Sequence, residues 1–114
     1  MIDFEQVWLP QIIGYARLIS TGQLENQWLG QSDAMTSVTD PDELHEQIYD
    51  DLDADAIWSE ARQNLDMPAA ATSAIDSFLL ALNGIEGNDA EMVVRSSAWA
   101  KVKYAANAVL ANVR

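Results

Sequence analysis

The 114-residue chain predicts an all-α fold, a compact bundle of five or six helices forming a single domain over residues 1–114. Three observations carry this. Apolar residues recur at three- and four-residue steps through most of the chain, which is the period of one helix face. Helix-start residues precede those stripes, and Gly or Pro follows them. No segment alternates apolar and polar residues between hairpin turns, and no repeat or low-complexity tract stands out. Hydrophobic residues make up 49 per cent and include four Trp. That is enough for one core of roughly two-thirds burial.

The elements follow in order. Asp3 can cap a first helix whose stripe is Phe4, Val7, Trp8, Ile12, Tyr15 and Ile19. Pro10 lacks an N–H and crowds the preceding turn, so a kink, or a short helix followed by a second, is expected there. Gly22 ends the element. Leu24, Trp28 and Leu29 form a short helix or turn closed by Gly30, and residues 31–39 read as loop or a brief extended piece. Asp40 opens the next helix as a cap, with Pro41 at the first helical position and Glu43 placed to reach back to the Asp40 N–H. Its stripe is Leu44, Ile48 and Leu52, then shifts to Ile57, Trp58, Ala61 and Leu65. Two helices meeting at Asp53–Asp55, with Asp53 or Asp55 as the second cap, fit this shift better than one bent helix. Asp66-Met67-Pro68 is a break. Ile75, Phe78, Leu79 and Leu82 mark a further helix, starting at Ala69–Ala71 or capped by Ser73 with Asp76, and ended by Gly84. Residues 83–89 are the loop expected to be most mobile. The last helix starts near Asp89 or at Ser96/Ser97. Its seam of Trp99, Val102, Ala106, Val109 and Val113 suits packing along a neighbour, and its many Ala residues allow close approach.

The stretch from Thr39 to Asp55 holds eight of the eighteen acidic residues and no Lys or Arg. Asp42, Glu46, Asp50 and Asp53, with the edge residue Glu43, lie off its apolar stripe. The segment therefore has one greasy side and one wide anionic side. Asp42/Glu46 and Glu46/Asp50 are like-charge pairs four residues apart, each costing a few tenths of a kcal/mol in an isolated helix. Residues 95–114 carry four cations and no acid, whereas the preceding residues carry all eighteen acids against Arg17 and Arg62. The expectation is that part of this basic end lies beside the acidic face and offsets it.

The net charge of −12 disfavours nucleic acid and anionic membrane as direct partners and favours a basic protein or plain solubility. No apolar run approaches the ~18 residues of a membrane span, and Asp3 and Glu5 are the reverse of a signal peptide's basic start. The absence of Cys removes disulfides and thiolate chemistry and suits the cytoplasm.

Catalytic and metal patterns are incomplete. Asp51, Asp53 and Asp55 are spaced like the first ligands of a calcium loop, but Ala56 stands where Gly is needed and Arg62 where the bidentate acid belongs. His45-Glu46 lacks the second His of a zinc motif, and His45 reads as a solvated helix-face residue. The glycines form no phosphate loop. Paired carboxylates for glycoside chemistry need a cleft that a helical chain of this size rarely offers. No catalytic residue, metal ligand or cofactor is assigned. The four Trp fall on apolar stripes and read first as core. Trp58, flanked by Asp53, Asp55 and Glu60, is also a candidate interface anchor.

Two resemblances bear on function. In size, lack of Cys, solid core and the acidic cluster at Asp40–Asp55, the chain resembles small bacterial immunity proteins, which plug a cognate toxin, often a basic nuclease. That likeness implies a non-enzymatic inhibitor whose partner-binding residues are Asp42, Glu43, Glu46, Tyr49, Asp50, Asp51, Asp53, Asp55 and Trp58. Separately, Asp42-Glu43-Leu44-His45-Glu46-Gln47-Ile48 resembles a short acidic helix of phage anti-restriction DNA mimics, which implies an inhibitor of a nucleic-acid-binding defence protein. The richer core and basic C-terminal helix depart from that second pattern. A small helical enzyme is the third alternative. Oligomeric state is not specified by the sequence.

Overall fold

The computed structural model describes residues 3–33 and 35–113. Among these it contains seven α-helices, two π-helical turns and no strand. The helices are α1 (Leu9–Ser20), α2 (Gln23–Trp28), α3 (Pro41–Glu46), α4 (Ala54–Asn64), α5 (Ala69–Asn83), α6 (Ala90–Arg95) and α7 (Ser97–Asn112). The π turns are Phe4–Trp8, which runs into α1, and Gln47–Asp51, which continues α3.

Local chemistry explains most boundaries. Asp3, Asp40, Asp89 and Ser96 each accept a backbone N–H three residues on, from Gln6, Glu43, Met92 and Trp99. Both candidate starts of the last helix are therefore used. Ser96 is extended, with ψ at 156°, and divides α6 from α7. This division gives one helix more than the five or six expected. Gly22 and Gly30 take the left-handed conformation, with φ of 79° and 71°, and turn the chain out of α1 and α2. The kink expected at Pro10 is taken up by the π turn before it: Leu9 N–H bonds back five residues to the Phe4 carbonyl, widening the backbone just ahead of the ring.

Trp58, in the middle of α4, belongs to the core. It is 5 % exposed, stacks parallel to Trp8 at 5.9 Å, and meets Phe4 at 6.0 Å. Its indole N–H donates to Asp76 Oδ1 at 2.8 Å, and Arg62 holds the same carboxylate through two nitrogens. Asp76 thus ties α4 to α5 from within α5 instead of capping it. Leu65 leaves its expected stripe: α4 ends at Asn64, the backbone turns extended, and the side chain is 37 % exposed. A second aromatic pair, Trp28 on Trp99 at 5.2 Å, sits where α2 nears α7. Trp28 also donates to the Val38 carbonyl, whereas the buried indole N–H groups of Trp8 and Trp99 have no acceptor.

The longest helices, α5 and α7, form the main pairing, and α1 packs on the other side of α7. They run antiparallel, since Ala71 near the start of α5 and Val113 beyond the end of α7 line one cleft. Ile75, Phe78 and Leu82 meet the Trp99, Val102, Ala106 and Val109 seam, all at most 2 % exposed. The loop of residues 31–39 is latched by Gln27, whose Oε1 accepts from the Thr36 N–H while Nε2 donates to the Thr36 and Val38 carbonyls. Residues 83–89 are tethered too: Asn88 Oδ1 accepts the Asp42 N–H at 2.9 Å.

Trp58→Ala is expected to cost roughly 3–5 kcal/mol, the range for emptying an aromatic core position, as read from urea unfolding. A loss near zero would mean that the indole is not core. The Arg62 guanidinium, hydrogen-bonded to Asp76, holds its carboxyl below the ordinary 3.8. The unfolded chain then binds that proton more readily than the folded one, so the contribution is present above pH 3.8 and is lost as pH falls through the folded value. Asp76→Asn should accordingly lower the unfolding midpoint at neutral pH, with the deficit against wild type shrinking below pH 3.8.

Candidate functional site

The acidic segment is held by its apolar edge. Leu44, Ile48 and Leu52 are 0, 0 and 4 % exposed. In a regular α-helix, residues four apart drift round the axis by roughly 40° per step. The π turn offsets that drift: the Leu52 N–H bonds to the Gln47 carbonyl at 3.1 Å, five residues back, and Leu52 returns to the line of Leu44.

Gln47 is a buried hub that the sequence pattern did not single out. Its Oε1 accepts from the Tyr15 hydroxyl at 2.8 Å, and its Nε2 donates to the Ser37 carbonyl at 3.2 Å and to Glu43 Oε1 at 3.0 Å. One side chain therefore ties the acidic segment to α1 and to the loop before α3. The available signal was its place on the buried face, three residues after Leu44. Glu43, expected to reach back to Asp40, instead turns forward to Gln47.

The chain breaks after the π turn. Asp53 stands just before α4 in the left-handed conformation, φ 49° and ψ 52°, as the only described non-glycine residue with positive φ. Its side chain makes no capping bond, so it does not act as the expected cap. Asp tolerates this conformation better than most residues, but the strain is real.

Of the residues singled out from the sequence, Asp42, Glu46, Asp50, Asp51, Asp53 and Asp55 are exposed, and Glu43 is half-buried. The two aromatic candidates are drawn inward. Trp58 is core, as described. Tyr49 is half-buried, stacks on His45 at 4.4 Å, and donates its hydroxyl to the Leu79 carbonyl at 2.6 Å. Neither is displayed as a free anchor.

The charges fall unevenly. Ion pairs among the described residues join Arg62 to Asp76, Arg95 to Glu91 and Lys103 to Glu25. None reaches the acids from Asp40 to Asp55. Among the described residues, no cation of the C-terminal stretch forms an ion pair with the acidic face, and Lys103 is engaged by Glu25 on α2. Carboxylates of this segment act inward as well. Burial, then Asp51 and Glu43, push the Tyr15 hydroxyl above its ordinary 10, and burial followed by Asp55 pushes Tyr49 higher still.

No known protein family, curated protein or solved structure matches the chain.

Among the described residues no cluster of three or more His, Asp or Glu side chains is arranged to hold a metal ion, and no helix is long and apolar enough to cross a membrane. What the face offers is a set of outward carboxylates on a fixed backbone. Such a surface attracts cations and steers a basic partner.

Asp53→Gly is expected to stabilise the fold by about 1 kcal/mol, because glycine adopts the left-handed conformation without a Cβ penalty. Thermal unfolding checks it. A lower melting temperature would mean that the Asp53 side chain contributes a contact outweighing the strain.

Proposed function

We propose that the chain is a non-enzymatic binding protein that neutralises a basic protein partner, acting in the cytoplasm as an immunity protein against a nuclease-like toxin. The observation that supports this most directly is the absence of any ion pair between a described Lys or Arg and the carboxylates of Asp40–Asp55. Six of those acids face solvent. A fold that needed only solubility could disperse them among its own cations.

Physical chemistry sets the style of recognition. A focused negative face raises the association rate with a basic partner by one or more orders of magnitude at low salt. It contributes less to net affinity, which usually comes from buried aromatic anchors. With Trp58 in the core and the Tyr49 hydroxyl engaged internally, the acidic face itself contributes mainly speed and orientation. Asp42, Glu43, Glu46, Asp50, Asp51, Asp53 and Asp55 remain the contact residues.

Replacing Asp50, Asp51, Asp53 and Asp55 together by Asn should slow association with a basic nuclease partner by about tenfold or more at low salt. It should also flatten the salt dependence while leaving the helical circular dichroism spectrum intact. Stopped-flow association across a salt series is the measurement. An association rate indifferent to both salt and mutation would make the acidic face ordinary solvation.

A further inference from the structure

The acidic face contributes speed but displays no apolar anchor, so tight binding of a basic partner needs a second contact. A cleft of about 590 Å³ opens beyond the C-terminal end of α4. Phe4, Leu9, Leu65, Met67, Ala71 and Val113 give it an apolar lining. Glu5 and Asp66 line it too, and no described Lys, Arg or His does. Other hollows carry different charge. The groove between α5 and α7 has Lys101 and no acid, and the hollow beside Gln31 holds the Glu91–Arg95 ion pair.

Two irregularities of the backbone build this cleft. In a regular α-helix Phe4 and Leu9 would stand roughly 140° apart round the axis. The five-residue hydrogen bond from the Leu9 N–H to the Phe4 carbonyl reduces that angle, and both side chains line the cleft together with Glu5. Phe4 is half-buried and stacks on Trp8 at 5.1 Å, so this wall is fixed to the core. The second irregularity is the end of α4. One more helical residue would have kept Leu65 on the buried stripe, but the helix stops at Asn64 and leaves Leu65 37 % exposed at the cleft.

We infer that this cleft receives an apolar side chain of the basic partner, flanked in the partner's sequence by Lys or Arg that meet Glu5 and Asp66. The inference rests on the acidic face being where that partner docks. Charge complementarity selects the occupant: an apolar group without cations fills the lining but leaves both carboxylates unmet, and an acidic segment is repelled. The two surfaces lie at opposite ends of one helix. The 11 residues of α4 span roughly 16 Å from Asp53 to the cleft, well within one standard interface of about 800 Å² a side. Glu60 and Gln63 are exposed along the way, and the cation of this helix, Arg62, is engaged by Asp76. The acidic face then governs association, and the anchored side chain slows dissociation.

Amide NMR titration of the isotope-labelled full chain reads the cleft without any partner, using a short synthetic peptide whose central Phe-Leu pair is flanked by lysines. The amides of Leu65, Met67 and Ala71 should shift saturably, with a dissociation constant of about 0.1–1 mM. Replacing the Phe-Leu pair by serines, or the lysines by glutamates, should weaken binding at these residues by about tenfold or more. Glu5→Gln combined with Asp66→Asn should weaken it by about threefold or more with helix content unchanged. Leu65→Ser serves in its place if that variant loses helix content. Shifts confined to other surfaces overturn the inference. So does equal binding of the serine or the glutamate peptide, which would make the contact charge alone or apolar contact alone, and so does binding that these variants leave intact. Arg114 follows Val113 and lies outside the described residues. Binding that appears only with Arg114→Gln overturns the inference too, since the chain's own end would then fill the cleft. The association rate with a nuclease, read by the four Asn replacements at Asp50, Asp51, Asp53 and Asp55, is a separate measurement. A cleft that fails here leaves that reading standing, and an acidic face that fails there is seen whatever the peptide does.

Discussion

The acidic face exists because a buried apolar edge holds it against its own repulsion. Leu44, Ile48 and Leu52 each contribute about 1.5–3 kcal/mol by leaving water. The like-charge pairs Asp42/Glu46 and Glu46/Asp50 oppose this by a few tenths of a kcal/mol each. Burial wins several-fold. The π turn at Gln47–Asp51 is the backbone's share in that outcome, since it returns Leu52 to the buried line and lets Asp50 and Asp51 remain outside. Gln47 then fixes the segment to α1 and to the preceding loop through hydrogen bonds that no apolar side chain in its place could make.

The parts legible in the sequence were those fixed locally or by period. Four caps follow from an Asp or Ser standing three residues before the N–H it accepts. The seam of α7 and the buried face of α5 follow from helical spacing. Long-range pairing was not legible. Nothing near Gln27 or Gln47 announces that its partners lie about ten residues away or on another helix. Trp58 read first as core but also as an interface candidate, because both want a large amphipathic ring. The deciding contacts, Trp8 and Asp76, come from distant parts of the chain. The left-handed Asp53 was hidden because Asp is common in every conformation near a helix start.

For the candidate site, exposure of the acids was legible and the placement of the cations was not. A basic C-terminal helix in an acidic chain suggests mutual neutralisation. In the fold, α7 lies between α1 and α5, and Lys103 meets Glu25 rather than the acidic segment. Helix packing decided which charges could meet, and packing followed the apolar seam.

That arrangement bears on why the acids stand alone. A surface ion pair contributes about 0–1 kcal/mol, so adding a Lys near Asp50 or Asp53 would change stability little in either direction. Stability therefore neither requires the uncompensated face nor forbids it. The fold does carry strain at the same place, a left-handed Asp53 that glycine would relieve. Glycine would relieve it at the cost of one carboxylate in the row. The kept charge and the tolerated strain at Asp53 are two features that the proposed basic partner would account for together, because contact with it would favour the carboxylate that glycine lacks.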